Sequence, residues 1–343
     1  MIKLINKLTK PFGVSGCESD IATVIEEEIK NYADEIIKDT FGNLIAVKYS
    51  NGVKDTSDKG AVERIMLAAH MDTIGIIATH ISGEGYVYFS NLGGIKPYYC
   101  IGRTVEFSNG IQGTVQCDDS TKDIKDLKIQ SLYIDTGLDA DEVKNKINPG
   151  LFGKFEFITF TQGETIVSGY LDDRAGCAVL IETAKRIHEE IEQKVFPDNK
   201  AIYYTFTVQE EIGLRGAGPA AHRIMPDFAI VVDVTGAEDI PGRKDGNISL
   251  GKGPVIKIKD DRTISHPYIK DRLKTVAGEL AIPFQLGVST SEGTDAGAIH
   301  INQGGIMTGG LSIAARYIHT AGEMCNLKDL KNAVEILTEA VKI

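Results

Sequence analysis

Three short apolar runs organise the chain. Ile65-Met-Leu-Ala-Ala69, Ala201-Ile-Tyr-Tyr-Thr-Phe-Thr-Val208 and Phe228-Ala-Ile-Val-Val232 are continuous rather than alternating. That is the pattern of strands covered on both faces. Each run ends in polar chemistry: the first in His70-Met-Asp72, the second in Gln209-Glu210-Glu211, the third in Asp233. In open α/β sheets ligands bind at the carboxyl edge of the strands, so the repetition predicts that these groups converge. Leu44–Tyr49 reads as a further strand, and Asn51–Gly60 as a polar turn.

Helical spacing appears elsewhere. Ile21, Val24, Ile25 and Ile29 form one apolar stripe, preceded by Ser15-Gly-Cys-Glu18 with capping-box spacing. Ile181, Ala184, Ile187 and Ile191 form a second, predicting a helix from about Arg174 to Ile191. Leu273–Leu280 and Leu327–Val341 read as helices. Gly236–Gly253 reads as a loop, and Gly287–Gly310 as a glycine-rich region.

Between Gly75 and Glu164 the grammar changes to short strand-like pieces separated by turn residues: Tyr86–Ser90, Arg103–Phe107, Gly113–Gln116, Ser131–Asp135 and Lys154–Phe160. Only Asp139–Ile147 looks helical there. This spacing predicts a small β-barrel or sandwich inserted into an α/β domain, with one long mixed sheet as the alternative. The expected division is residues 1–73 plus 165–343 for the α/β domain and 74–164 for the insertion. An insertion leaving just after Asp72 and returning just before Asp172 stands at the rim of a site, where it can shape access or build an interface.

Totals narrow the partners. A formal net charge of −11 over 343 residues, with acids and bases interspersed, disfavours nucleic acid and anionic membranes. No stretch approaches the roughly 18 apolar residues of a membrane span. Met1–Gly13 carries lysines but no apolar core or cleavage pattern, so the cytoplasm is the expected compartment. The five cysteines are scattered and lack CxxC spacing, which speaks against a disulfide framework or a cysteine-rich zinc site.

The candidate chemistry lies in five stretches, four of them with a plain alternative. Asp172 and Asp173, in Gly169-Tyr-Leu-Asp-Asp-Arg-Ala-Gly176, read alone as a helix cap. His70 and Asp72 share one strand face and read alone as a hydrogen-bonded pair. Glu210 and Glu211 read as a solvated loop, or as one carboxylate for a metal and one for a proton. Neighbours in a strand point to opposite faces, so both reach one site only if the chain leaves strand geometry at Glu210. His319 reads alone as a surface or core histidine. Together, His70, Asp172, Glu211, Asp233 and His319 form a donor set suited to Zn²⁺, Co²⁺ or Mn²⁺. One bridging carboxylate with two further ligands on each ion makes a workable hydrolase site. His80, His188, His222, His266 and His300 lack a matching acid context and read as structural.

At this point the chain resembles a known family. HMDTIG (70–75), YLDDRAG (170–176), QEEIGLRGA (209–217), VVDVTGA (231–237), GTDA (293–296) and RYIHTAGE (316–323) occur in the order found in the tetrahedral-type metallo-aminopeptidases, or glutamyl aminopeptidases, some of which are labelled endoglucanases. The resemblance spans essentially the whole chain. It implies a mixed-sheet α/β/α peptidase domain with an inserted β-barrel that dimerises, and dimers that assemble into hollow dodecamers admitting peptides. It implies two divalent ions per subunit: His70 and Asp233 on one, Glu211 and His319 on the other, with Asp172 bridging. Glu210 would be the general base and Asp72 would orient His70. A cis peptide bond is implied between Asp172 and Asp173. Two positions depart from the pattern: Ala314-Ala315 where a proline is frequent, and Glu292 where a second glycine is common.

The expected activity is removal of N-terminal residues from peptides. A carboxypeptidase or deacylase on the same scaffold is the nearest alternative. Glycoside hydrolysis needs only two carboxylates across a sugar and leaves the two histidines and three further acids without a purpose. A non-catalytic assembly protein would have no need of Glu210 or the full donor set.

Overall fold

A computed structural model describes residues 1–50, 62–118, 123–243 and 247–342. The Asn51–Gly60 turn falls outside the described residues, as do residues 244–246 of the Gly236–Gly253 loop.

The main sheet is built from β1 (Glu35–Lys38), β2 (Leu44–Tyr49) and β3 (Glu63–His70), with its remaining strands later in the chain. The next six strands leave it: β4 (Gly75–Ile81), β5 (Val87–Leu92), β6 (Thr104–Phe107), β7 (Gln112–Cys117), β8 (Leu132–Asp135) and β9 (Phe152–Phe155). They close into a barrel in the order β4-β5-β8-β7-β6-β9. The chain then returns through β10 (Phe160–Gln162), β11 (Thr165–Ser168), β12 (Lys200–Thr207), β13 (Phe228–Gly236), β14 (Val255–Lys259), β15 (Gln285–Val288), β16 (Met307–Arg316) and β17 (Glu323–Asn326). Among the described residues the main sheet has 11 strands: the path β1-β2-β12-β3-β13-β16-β17-β11-β10, with β14 branching from β16 and β15 pairing β14. One long sheet is therefore excluded. The run expected as one strand over Lys154–Phe160 is divided between β9 of the barrel and β10 of the sheet.

Among the described residues there are eight α-helices: α1 (Ile2–Leu8), α2 (Ser19–Ile29), α3 (Ala140–Lys146), α4 (Leu171–Glu192), α5 (Ala217–Ile224), α6 (Pro267–Glu279), α7 (Ala296–Ile299) and α8 (Leu327–Ala340). All but α3, whose Val143 joins the core of the barrel, cover the two faces of the sheet, which explains the unbroken apolar runs. Ile65, Leu67 and Ala69 pack with α4 and α8 in one core. Met66 and Ala68, pointing the other way, pack with Ala217, Ala220 and Ala221 of α5 and Ile299 of α7. The barrel has its own core, including Ile76, Phe89, Val105, Ile134 and Phe155. The α/β/α architecture with a closed barrel agrees with the expected fold.

Register sets the site. β12, β3, β13 and β16 run parallel, with Thr207 opposite His70 and Val231 opposite Ala68. Counting two residues on from the latter pair brings Asp233 level with His70. The carboxyl ends of three apolar strands thus finish at one edge.

Candidate metal centre

The structure brings all seven singled-out residues to that edge. His70 Nε2 lies 3.0 Å from Asp172 Oδ1 and 3.7 Å from Asp233 Oδ1. His319 Nε2 lies 3.3 Å from the other oxygen of Asp172, Oδ2, and 3.1 Å from Glu211 Oε2. Two donor clusters result, His70–Asp172–Asp233 and Asp172–Glu211–His319, and they share only Asp172. Among the described residues no other histidine joins them. His80 stacks on Tyr88, His266 caps α6, and His300 Nδ1 meets the Ala296 carbonyl.

The adjacent acids Asp172 and Asp173 divide their work. Asp173 Oδ1 accepts from the Gly176 amide at 2.9 Å, an ordinary N-terminal cap. Asp172 faces the histidines instead. Its backbone is non-helical (φ −78°, ψ 108°), and the bond joining it to Asp173 is cis. The backbone is kinked at the two acids, and the regular part of α4 begins at Arg174, as expected.

Glu210 and Glu211 also escape strand geometry. β12 stops at Thr207, and Gln209 takes φ +57°. Both amides of the pair turn onto one carboxylate: Glu210 N donates to Asp72 Oδ1 at 2.9 Å and Glu211 N to Asp72 Oδ2 at 3.2 Å. Ser15 Oγ donates to the same Oδ2 at 2.5 Å. Asp72 reaches His70 mainly through its main chain, its carbonyl 3.1 Å from Nδ1 and its carboxylate 3.6 Å away. An acceptor on Nδ1 leaves Nε2 free of its proton to face the site.

His319 is fixed from the barrel. Its Nδ1 lies 2.9 Å from the carbonyl oxygen of Gly94, in the segment following β5. A Cβ on Gly94 would lie 3.1 Å from that nitrogen, and one on Gly93 would lie 3.0 Å from Glu211 Oε2. A side chain at either position would crowd these groups, so the glycines let the barrel backbone approach closely.

Charge at the site is unbalanced. Burial, reinforced by neighbouring acids, raises the carboxyl pKa values of Glu210, Glu211 and Asp233. Burial lowers those of His70 and His319, but the surrounding carboxylates outweigh it and push both up. Asp172 is held below the usual carboxylate range: burial opposes this, and the two imidazoles win. Glu211 Oε1 is buried without a hydrogen-bond partner. An excess of buried acids, an orphaned carboxylate oxygen and two imidazole nitrogens aimed at them fit divalent cations with mixed N/O ligands.

Three supports were missed in the sequence. Ser15 and Glu18 read as a local capping box. In the structure Ser15 serves Asp72, while Glu18 Oε1 accepts from the amides of Gly16 at 2.7 Å and Gln209 at 3.2 Å. Gly94 carried no local signal at all.

The fold and the paired clusters define a class, the metal-dependent peptidases with a barrel set into an α/β sheet. Residues 42–336 match the M42 glutamyl aminopeptidases, and the chain belongs to that family. It is an aminopeptidase, a hydrolase of peptide bonds. A relative from Acetivibrio thermocellus, provisionally named an aminopeptidase, is 42% identical over 99% of this chain and 98% of its own. The aminopeptidase APDkam598 from the archaeon Desulfurococcus kamchatkensis superposes with a TM-score of 0.90 at 30% identity, covering 99% of this chain and 94% of its own. The Pyrococcus horikoshii TET1 peptidase, described as assembling into a tetrahedron or a large octahedral shell, matches with a TM-score of 0.85 at 31% identity, over 100% and 99% of the two chains.

Proposed function

We propose that the chain is a two-cation aminopeptidase in which Asp172 bridges one ion held with His70 and Asp233 and another held with Glu211 and His319. The observation that carries this reading is the sharing of Asp172: its two oxygens face different histidines at 3.0 and 3.3 Å. Bound ions of the Zn²⁺, Co²⁺ or Mn²⁺ type would polarise the scissile carbonyl and acidify a water. Glu210 is the general base. Its amide is tied to Asp72, it is largely buried, and its raised pKa suits taking a proton from water and passing it to the leaving amine. Asp72 holds His70 and the Glu210–Glu211 turn in one frame.

Glu210→Gln keeps the shape and removes the base. Ion content should stay near that of the parent while turnover falls by about 10²-fold or more. Near-normal turnover would remove Glu210 from the role. Aminoacyl chromogenic substrates, compared with N-blocked and C-terminal ones, separate an aminopeptidase from a carboxypeptidase or deacylase.

Residues 74–164 are proposed as the inserted unit and residues 1–73 plus 165–343 as the catalytic one. The barrel would pair two copies, and such dimers would build a larger shell. Support comes from the closed barrel with its own core and from the assembly described for the Pyrococcus horikoshii peptidase. Light scattering on the purified chain reads the assembly directly.

A further inference from the structure

One buried acid close to the site takes no part in the reading above. Glu323 opens β17 and is 1% exposed. Its two carboxylate oxygens accept from two main-chain amides far apart in sequence. Oε2 takes the amide of Asp172 at 3.0 Å, and Oε1 takes the amide of His319 at 2.8 Å.

Both amides lie where the backbone needs outside support. Tyr170, two residues before Asp172, has φ +61°, and its side chain makes no capping bond to the start of α4. His319 has φ +65°, in a turn between β16 and β17 that also holds Tyr317 at φ +58°. Left-handed backbone at non-glycine residues persists only where surrounding bonds hold it. Glu323 provides such a bond at both places through a single side chain.

We propose that Glu323 is a positioning residue that spans Asp172 and His319 and sets the spacing of their side chains. This rests on the two-cation reading. The ion held by Asp172, Glu211 and His319 depends on two residues tied to Glu323. The ion held by His70, Asp172 and Asp233 depends on one. Glu323 touches no reacting atom. A carboxylate suits the task because it offers an acceptor to each N–H. A glutamine presents one acceptor and one NH₂, and the NH₂ faces an N–H, so one of the two bonds is lost.

The test is a calorimetric titration of Co²⁺ into ion-stripped protein, with bound ion counted after gel filtration. The parent chain should take up two ions. Glu323→Gln should bind one ion within about 3-fold of the parent and the other about 10- to 100-fold less tightly, the usual loss when a ligand's support is removed. Raising Co²⁺ should then restore turnover, which a general loss of fold would not permit. Two ions bound with parental affinities by folded Glu323→Gln would overturn the proposal. A parent chain that binds fewer than two ions would instead overturn the two-cation reading, so the two failures are distinct. If Glu323→Gln does not fold, hydrogen exchange on the stripped parent decides. The Asp172 and His319 amides should be protected, and exchange of either at the rate of an open loop would overturn the proposal.

Discussion

The carboxylate of Asp72 is shared by Ser15, Glu210 and Glu211, and one of its neighbours, Glu18, ties down the residue just before that pair. Burial, followed by the charge of Asp72, raises the Glu18 carboxyl from 4.5 to about 7, against the pull of the Gly16 amide. The sign follows from linkage. Between those values the folded chain holds a proton that the unfolded chain has released, so stability is full below about pH 4.5 and is lost as pH rises toward 7. Glu18→Gln keeps an acceptor for the Gly16 and Gln209 amides and removes the titration. Urea unfolding of the variant should therefore lose a slope worth on the order of 3 kcal/mol across this window. An unchanged pH profile would mean that Glu18 titrates normally. The same residue marks a limit of reading residues locally. Ser-x-x-Glu satisfies a helix start and a long-range acceptor equally well, and only folding brings the end of β12 to Glu18. By contrast Glu210, Glu211 and Asp233 were legible because acids at the ends of apolar strands have no packing purpose, and His70 because it ends such a strand, whereas Asp172 read alone as a helix cap and took its role from the resemblance.

Strands were legible where both sheet faces carry bulk, as in β3, β12 and β13. β16 was not, although Thr308–Ala315 are all buried. Its opening residues are Met307-Thr-Gly-Gly310, and the missing side chains are filled by neighbours: Ile269 packs against Gly309 and Lys257 against Gly310. A strand that lends its volume to adjacent elements reads as a glycine-rich loop. α6 likewise begins at Pro267, well before the expected Leu273, because His266 and the proline start it ahead of its apolar stripe. α8 shows the opposite case, an element closed by its own ends. Asn326 Oδ1 accepts the amides of Lys328 at 2.8 Å and Asp329 at 3.3 Å. Asn326→Ala should lower unfolding free energy by about 1 kcal/mol with turnover unchanged, since α8 supplies no group to the centre. A matching fall in kcat at constant ion content would show that β17 transmits strain to His319.

At the scale of the whole molecule, the barrel and the sheet meet at the proposed metal centre. Sequence grammar separated the two units, but nothing in it placed Gly93-Gly94 against Glu211 and His319, because these contacts join segments far apart in the chain, 225 residues for Gly94 and His319. The barrel backbone is therefore part of the direct support for the Asp172–Glu211–His319 cluster, through the Gly94 carbonyl. Gly94→Ala introduces a Cβ that would stand 3.1 Å from His319 Nδ1 and 3.2 Å from Cε1, so the imidazole must shift by a few tenths of an ångström. Such a shift acts on one ligand and leaves the barrel core untouched. Turnover should fall about 10-fold, the lower end of the loss expected for a disturbed ligand support, with unfolding free energy within about 0.5 kcal/mol of the parent. Gly83→Ala is the matched control, since a Cβ there meets nothing within 4 Å. It should leave both quantities unchanged. Equal activity in the two variants would mean that the imidazole yields without consequence and that the barrel acts on the reaction only through assembly. A loss confined to Gly94→Ala would make the insertion a structural part of the centre in each single subunit, before any second copy is engaged.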